Sequence, residues 1–326
     1  MSDVIVNVFL LIAFAAVGYA LTKGKILNSG HSKMLSALCL YLFLPSKIFT
    51  TFSKNFNVSY LTTNWPLLLA AGIVIAIVAL VVLPISKLLT KDSYKRIVYH
   101  YSMTITNYGY IGYALAGAIF GEESKELQDV MTFAFTVSIY TYTIGYSTLT
   151  GGKLSAKKLI NPVTIAMVAG AVVGMFGPGL LNWITTTFAG APALVSFAKT
   201  VPSVAKDFLT KAQACMSPVS MLLAGVVISD YKFRDMLGQW QCYIIAFLRL
   251  LIIPLAVGFA MKLLGFEWLV RPAIFVLAMP CGMNTIVFPK LVGQDCKPGA
   301  AMAFITTLAC IATIPICLFL LNIPLS

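Results

Sequence analysis

Thr106-Asn107-Tyr108-Gly109-Tyr110-Ile111-Gly112 interrupts an apolar stretch, Arg96 to Gly121, at its middle. Pro280-Cys281-Gly282-Met283-Asn284, followed by Pro289, does the same between Arg271 and Gly293. Glycine and proline in such places spoil a helix, through backbone freedom and a missing N–H. Lipid cannot satisfy the backbone groups that a break frees, so unwound chain at membrane depth must be buried in protein or line a wet cavity. The two breaks fall in matching places in the two halves of the chain. Paired breaks of this kind are the best sequence pointer to a transporter's central site.

The rest of the chain agrees with a life in lipid. Of its 326 residues, 59% are hydrophobic and only 10% charged, with a mean hydropathy of +0.90, whereas soluble domains carry about 25% charged residues. Long uncharged runs recur, and roughly 20 residues cross the hydrocarbon core. A net charge of +12 on a soluble chain would suggest nucleic acid. Here the basic residues occupy short loops between spans, where topology and anionic lipid explain them. The seven cysteines form no C-x-x-C and lie mostly in apolar runs, which reads as core packing rather than metal or disulfide chemistry. Met1-Ser2-Asp3 lacks the basic flank of a cleaved signal peptide, so the first span is expected to be retained. The motifs H-E-x-x-H, G-x-S-x-G and G-x-x-x-x-G-K-[ST] are missing, which argues against an intramembrane enzyme or an ATP-driven pump.

Ten spans are expected: Val4 to Leu21, Met34 to Phe52, Trp65 to Leu89, Ile97 to Phe120, Leu127 to Leu149, Pro162 to Ile184, Phe208 to Ser229, Trp240 to Leu264, Pro272 to Val292 and Pro298 to Leu321. Thr185 to Pro202 is too interrupted for a further span and reads as a surface or interfacial element. The loops after the odd-numbered spans hold twice the Lys and Arg of the others, which places both termini outside the cytoplasm. Pro84 in span three is matched by Pro254 in span eight, and Pro45 in span two by Pro218 in span seven. An odd repeat of five spans must enter the membrane in the opposite sense the second time. The expected fold is therefore an all-α polytopic membrane protein of ten transmembrane helices in two inverted five-helix repeats, residues 1–150 and 162–326. A short cytoplasmic connection, 151–161, joins them, and broken helices four and nine cross.

Asn107 and Asn284 are the first candidates for ligand contact, since a buried Asn beside opened backbone offers both donor and acceptor. The competing reading makes each a helix cap or an interhelical hydrogen bond. If both broken helices cross at mid-membrane, two half-helix N-termini face one volume, and their partial positive charge favours an anion. Thr104, Thr106, Gly109, Gly112, Pro280, Gly282, Thr285 and Pro289 would shape that volume. Lys47 and Arg249 are the cations well inside spans, as charge partners of an anion or as structural braces. No Asp or Glu lies mid-span, which weakens a carboxylate proton relay or a carboxylate-rich sodium site. His100 and His31 read as interfacial and loop histidines, and Gly170 with Gly174 as a close helix contact.

In this order the motifs resemble the auxin efflux carrier family over nearly the whole chain. The matching stretches are Leu40 to Pro45, Asn107 to Gly112 with Phe120-Gly121, Asn161-Pro162, Pro218 to Ser229, Leu248 to Pro254 and Met279 to Gly282. The resemblance implies a secondary transporter of organic acids, with a scaffold of spans one, two, six and seven and a mobile bundle carrying the crossed helices. It implies cargo such as an auxin-like acid, malate or malonate. Where the family often has Gly-x-Pro in span four, this chain has Gly112-Tyr113-Ala114, so its break rests on Gly109, Gly112 and Asn107. The short connection from Gly151 to Leu159 fits a compact, bacterial-type member of the plasma (inner) membrane. The expected partners are a small organic anion, membrane lipid and a second copy in a homodimer, without nucleic acid, metal or cofactor. The alternative on the same fold is a neutral or zwitterionic cargo such as an amino acid. A channel or a membrane sensor is disfavoured by the absence of a filter motif and of an appended soluble domain.

Overall fold

The computed structural model describes residues 2–121, 124–151, 160, 162–229 and 238–323. The basic residues Lys153, Lys157, Lys158, Lys232 and Arg234, the acidic Glu122 and Glu123, Asn161 and most of the connection 151–161 lie outside them. Regular structure among the described residues is helical.

The helices follow from the caps and prolines of the sequence. Helix α1 is Ser2–Lys23. Asn28 caps α2 (Ser29–Leu38), accepting from the Gly30 and His31 N–H groups, while its own N–H donates to His31 Nδ1. A π-helical turn, Cys39–Phe43, leads into α3 (Leu44–Asn55) immediately before Pro45. A second one, Leu248–Ile252, joins α12 (Trp240–Phe247) to α13 (Ile253–Leu263) immediately before Pro254. In both, the bond that closes the turn reaches back five residues, Leu44 N–H to Cys39 O and Ile253 N–H to Leu248 O. Proline has no N–H to continue the ordinary ladder. Asn57 caps the long α4 (Val58–Leu89) and Asp92 caps α5 (Ser93–Thr104).

Further along, α6 (Tyr113–Phe120) follows the π-turn Tyr108–Gly112, and α7 (Lys125–Tyr140) runs through the π-turn Thr141–Gly145 into α8 (Tyr146–Leu149). The remaining helices are α9 (Pro162–Thr187), α10 (Pro192–Ala214), α11 (Met216–Ser229), α14 (Glu267–Leu277), α15 (Asn284–Leu291) and α16 (Lys297–Leu320). Six helical segments among the described residues are long and apolar enough to cross a membrane: Gly30–Lys54, Val58–Leu89, Pro162–Thr187, Pro192–Ser229, Trp240–Leu263 and Lys297–Leu320. The segments expected as spans four and nine are each broken into two helices, as the sequence predicts.

Some boundaries differ from the sequence reading. The ninth span begins at Glu267 with Pro272 inside it, and the fourth at Ser93, where Asp92 supplies the cap. The larger correction is Thr185 to Pro202. It closes α9 and opens α10, and α10 with α11 forms one 38-residue segment, Pro192–Ser229, rather than a span starting at Phe208. Pro192 stands in the first turn, where proline suits a helix, and Pro202 interrupts one bond without ending it. At 1.5 Å per residue this segment is about 57 Å long, nearly twice the hydrocarbon thickness.

Small residues set the tightest packing. Gly170 and Gly174 on α9 meet α3, and a Cβ on either would stand 2.7 Å from the carbonyl of Phe49 or Phe56. Gly18 and Gly225 bring α1 against α11 in the same way, each facing a backbone carbonyl of the other helix, Leu222 O and Ala15 O. A second set of contacts joins α4 to α5 and α7, α13 to α14, α12 to α16 and α14 to α7. Between the two sets lies α15, which touches both α2 and α16. Tyr99, Phe133, Phe275, Phe288 and Arg249 are fully buried in the core.

Candidate functional site

At the first break α5 stops at Thr104, and Ile105 is extended at φ −107° and ψ 139°. At the second, α14 stops at Leu277, and the chain runs free to Met283. The two open strands pair antiparallel through Thr106 and Cys281. Asn107 N–H donates to Pro280 O at 2.7 Å, Thr106 Oγ1 to Val276 O at 2.7 Å, and Cys281 N–H to Thr306 Oγ1 at 3.0 Å. These bonds satisfy inside the protein what lipid would leave bare. The absence of a Gly-x-Pro in span four therefore does not prevent the crossing.

One cavity of about 40 Å³ opens beside this crossing. Thr106, Asn107 and Gly109 from the first break, Gly282, Met283 and Asn284 from the second, and Lys47 from α3 all line it. Space of this size holds roughly two or three waters. The N-terminal ends of the helical segments starting at Tyr108 and Asn284 face it, each carrying partial positive charge. Lys47 Nζ donates to Gly109 O at 2.8 Å, bringing its amino group to the same wall. The lining contains no Asp or Glu. Asn107 is 5% exposed, and its side chain makes no hydrogen bond among the described residues. Asn284 Nδ2 donates to the Tyr101 hydroxyl at 3.2 Å.

Other sequence candidates have different duties. A Cβ on Gly112 would stand 2.6 Å from Phe275 O, so this glycine serves close approach of α14. Thr104 Oγ1 returns to His100 O at 2.8 Å. Thr285 Oγ1 donates to Gly282 O at 2.9 Å, Pro280 supplies the acceptor for Asn107, and Pro289 is buried within α15. Arg249 is fully buried, does not line the cavity, and donates from Nη1 to Met103 O at 3.3 Å. Of the two readings the sequence left open for it, the geometry favours the helix brace. His100 Nε2 meets Ala79 O of α4 at 2.9 Å, a contact that ties α5 to α4.

The sequence reading missed the contribution of α7 and its π-turn. Ser138, Thr141 and Tyr142 line the cavity, and the Tyr108 hydroxyl bonds Ser138 Oγ at 2.7 Å. The run Thr141-Tyr142-Thr143 inside span five was the available signal. Thr51, one turn beyond Lys47, and Met216 complete this side.

A family model described as membrane transport protein matches residues 3–156 and 148–318. A protein named uncharacterized transporter MJ1031, from Methanocaldococcus jannaschii, is 26% identical over 319 residues, covering 94% of this chain and 94% of its own length.

Proposed function

We propose, on the premise that this chain belongs to the membrane transport protein family of auxin efflux carrier type, that it carries a small organic anion by alternating access around the crossing. The observation that carries this reading is the shared cavity. Two half-helix N-termini, two asparagines and Lys47 converge there without an acidic side chain in the lining. A carboxylate would accept from Lys47 Nζ, from the unengaged Asn107 amide and from free N–H groups of the half-helices. In this conformation the cavity is too small for such a guest, so binding requires the two helix sets to part. Movement of one set against the other about a midplane site is the ordinary way such folds transport.

The helix pairings support ten spans in two inverted repeats. Spans one and seven pair through Gly18 and Gly225, and spans six and two pair through Gly170 and Gly174, as an exchange of halves would produce. Contacts of α4 with α5 and α7 are matched by those of α13 with α14 and of α12 with α16. The loop charges then put both termini outside the cytoplasm. On a background without accessible native cysteines, an impermeant thiol reagent should label a cysteine at Ser326 and miss one at Ser155. The reverse pattern inverts this topology.

The anion reading is tested with pairs of a carboxylic acid and its amide, compared by competition for uptake into proteoliposomes at neutral pH. The acid should bind at least about 10-fold more tightly, since one charge-assisted hydrogen bond is worth about 1.5 kcal/mol or more. Equal competition would replace the anion by a neutral or zwitterionic cargo such as an amino acid. Flux without saturation or counterflow would make the protein a channel.

A further inference from the structure

Arg249 presents a problem that the cargo site does not solve. It is fully buried, yet the described residues give it no ion pair, their one salt bridge being Arg271 with Glu126. Nη1 holds Met103 O, while Nε and Nη2 have no hydrogen-bond partner among the described residues. A cation in the hydrocarbon region is costly, and such residues are generally placed for a task.

Its position indicates the task. Met103 is the penultimate residue of α5, so the guanidinium sits at the C-terminal end of the first half-helix, where the break begins. Unpaired carbonyls give a helix C-terminus about half a negative charge. In inverted-repeat carriers, half-helix C-termini and unwound carbonyls at the crossing are where a coupling sodium ion or proton is held. At the equivalent end of α14 the structure uses a neutral group, Thr106 Oγ1 on Val276 O. The positive charge is thus supplied at one half-helix end only, and it is covalently attached.

We propose that Arg249 is a tethered cation standing in for a coupling ion at the crossing, so that cargo moves without sodium. The inference rests on the carrier reading and adds the ion that the carrier does without. Arg249 acts here as a positioning residue. It fixes the end of α5, and through it the first break, without touching cargo. The two unfilled donors give it capacity to follow carbonyls as the crossing rearranges.

The test compares wild type, Arg249→Lys and Arg249→Ala in sodium chloride, choline chloride and choline chloride with added guanidinium at low millimolar concentration. Thermal unfolding of purified protein is one readout, and proteoliposome uptake of the acid chosen in the acid–amide comparison is the other. Wild type and Arg249→Lys should give the same unfolding temperature and uptake in sodium and choline. Arg249→Ala should lose about 10-fold or more in uptake in choline and recover on adding sodium or guanidinium, the mass-action signature of a vacated cation site. Three results overturn the proposal: sodium-dependent wild-type uptake, an Arg249→Ala protein that matches wild type in choline, or a loss that neither cation nor lysine restores. If Arg249→Ala does not fold, wild type and Arg249→Lys still decide, because both must ignore sodium. The acid–amide comparison uses neither variant nor cation, so the carrier reading fails separately.

Discussion

The crossing of the two breaks opens onto unlike spaces on its two sides. Beside the first, the cavity carries Lys47, Thr51, Ser138 and Thr141. On the far side of Met283, which lines both spaces, lies a cavity of about 350 Å³ walled by Ile12, Ala15, Met221, Ala224, Ala303 and Phe304. The difference can be followed residue by residue. Lys47 stands two residues after Pro45, and Ser220 two after Pro218, where the hydroxyl turns back to Ser217 O at 3.0 Å. Thr51 is likewise opposed by Ala224. On the proposed inverted repeat, matched positions thus carry a polar wall in one half and an apolar wall in the other. In the proposed carrier, charge recognition belongs to the first half, and the second supplies shape and a smooth sliding surface.

The largest effect should come from removing that asymmetry at its charged residue. Lys47→Met should weaken carboxylate binding on the order of 100-fold, since a hydrogen bond to a charged group is worth up to about 3 kcal/mol. Affinity for the matching amide should change far less. Lys47→Ser combined with Ser220→Lys, which moves the charge to the other half, should restore nothing, because Ser220 is only 1% exposed and packed away from the first cavity. Competition binding of acid and amide to the purified variants checks this. If Lys47→Met leaves both ligands unchanged, the polar wall is not the recognition surface.

Much of this architecture was legible because it follows from local chemistry. Proline and glycine disrupt helices wherever they stand, so the broken fourth and ninth spans could be read from Asn107 to Gly112 and Pro280 to Asn284. The spacing of Gly170 and Gly174 announced a close helix contact, for which the structure supplies α3 as partner. What was not legible depended on side-chain direction across elements distant in sequence. Ser138 and Thr141 look like ordinary span residues until α7 is placed against the crossing. Arg249 and Lys47 look alike in a hydropathy reading, yet one reaches the cavity and the other turns to Met103 O. Thr185 to Pro202 reads as too interrupted for a span, yet Pro192 suits the first turn of a helix and Pro202 inside it removes one hydrogen bond without ending it.

The two asparagines offer the finest version of the comparison, because they occupy matching breaks but differ in their partners. The Asn107 amide is unengaged among the described residues, whereas Asn284 Nδ2 holds the Tyr101 hydroxyl. Asn107→Ala should therefore weaken carboxylate binding by about 10-fold or more and leave thermal unfolding in the absence of ligand almost unchanged. Asn284→Ala should weaken binding similarly and also lower stability, by about 0.5 to 1.5 kcal/mol for the lost neutral hydrogen bond. Tyr101→Phe, which keeps the asparagine and removes the same bond, should reproduce the stability loss and retain most of the affinity. Unfolding curves and ligand titrations on the three variants separate these contributions. Equal destabilisation by Asn107→Ala and Asn284→Ala would show that Asn107 is a structural bridge rather than a waiting ligand. Unchanged affinity in both asparagine variants would move the cargo site away from the crossing, leaving the pairing of Thr106 with Cys281 as a purely architectural joint.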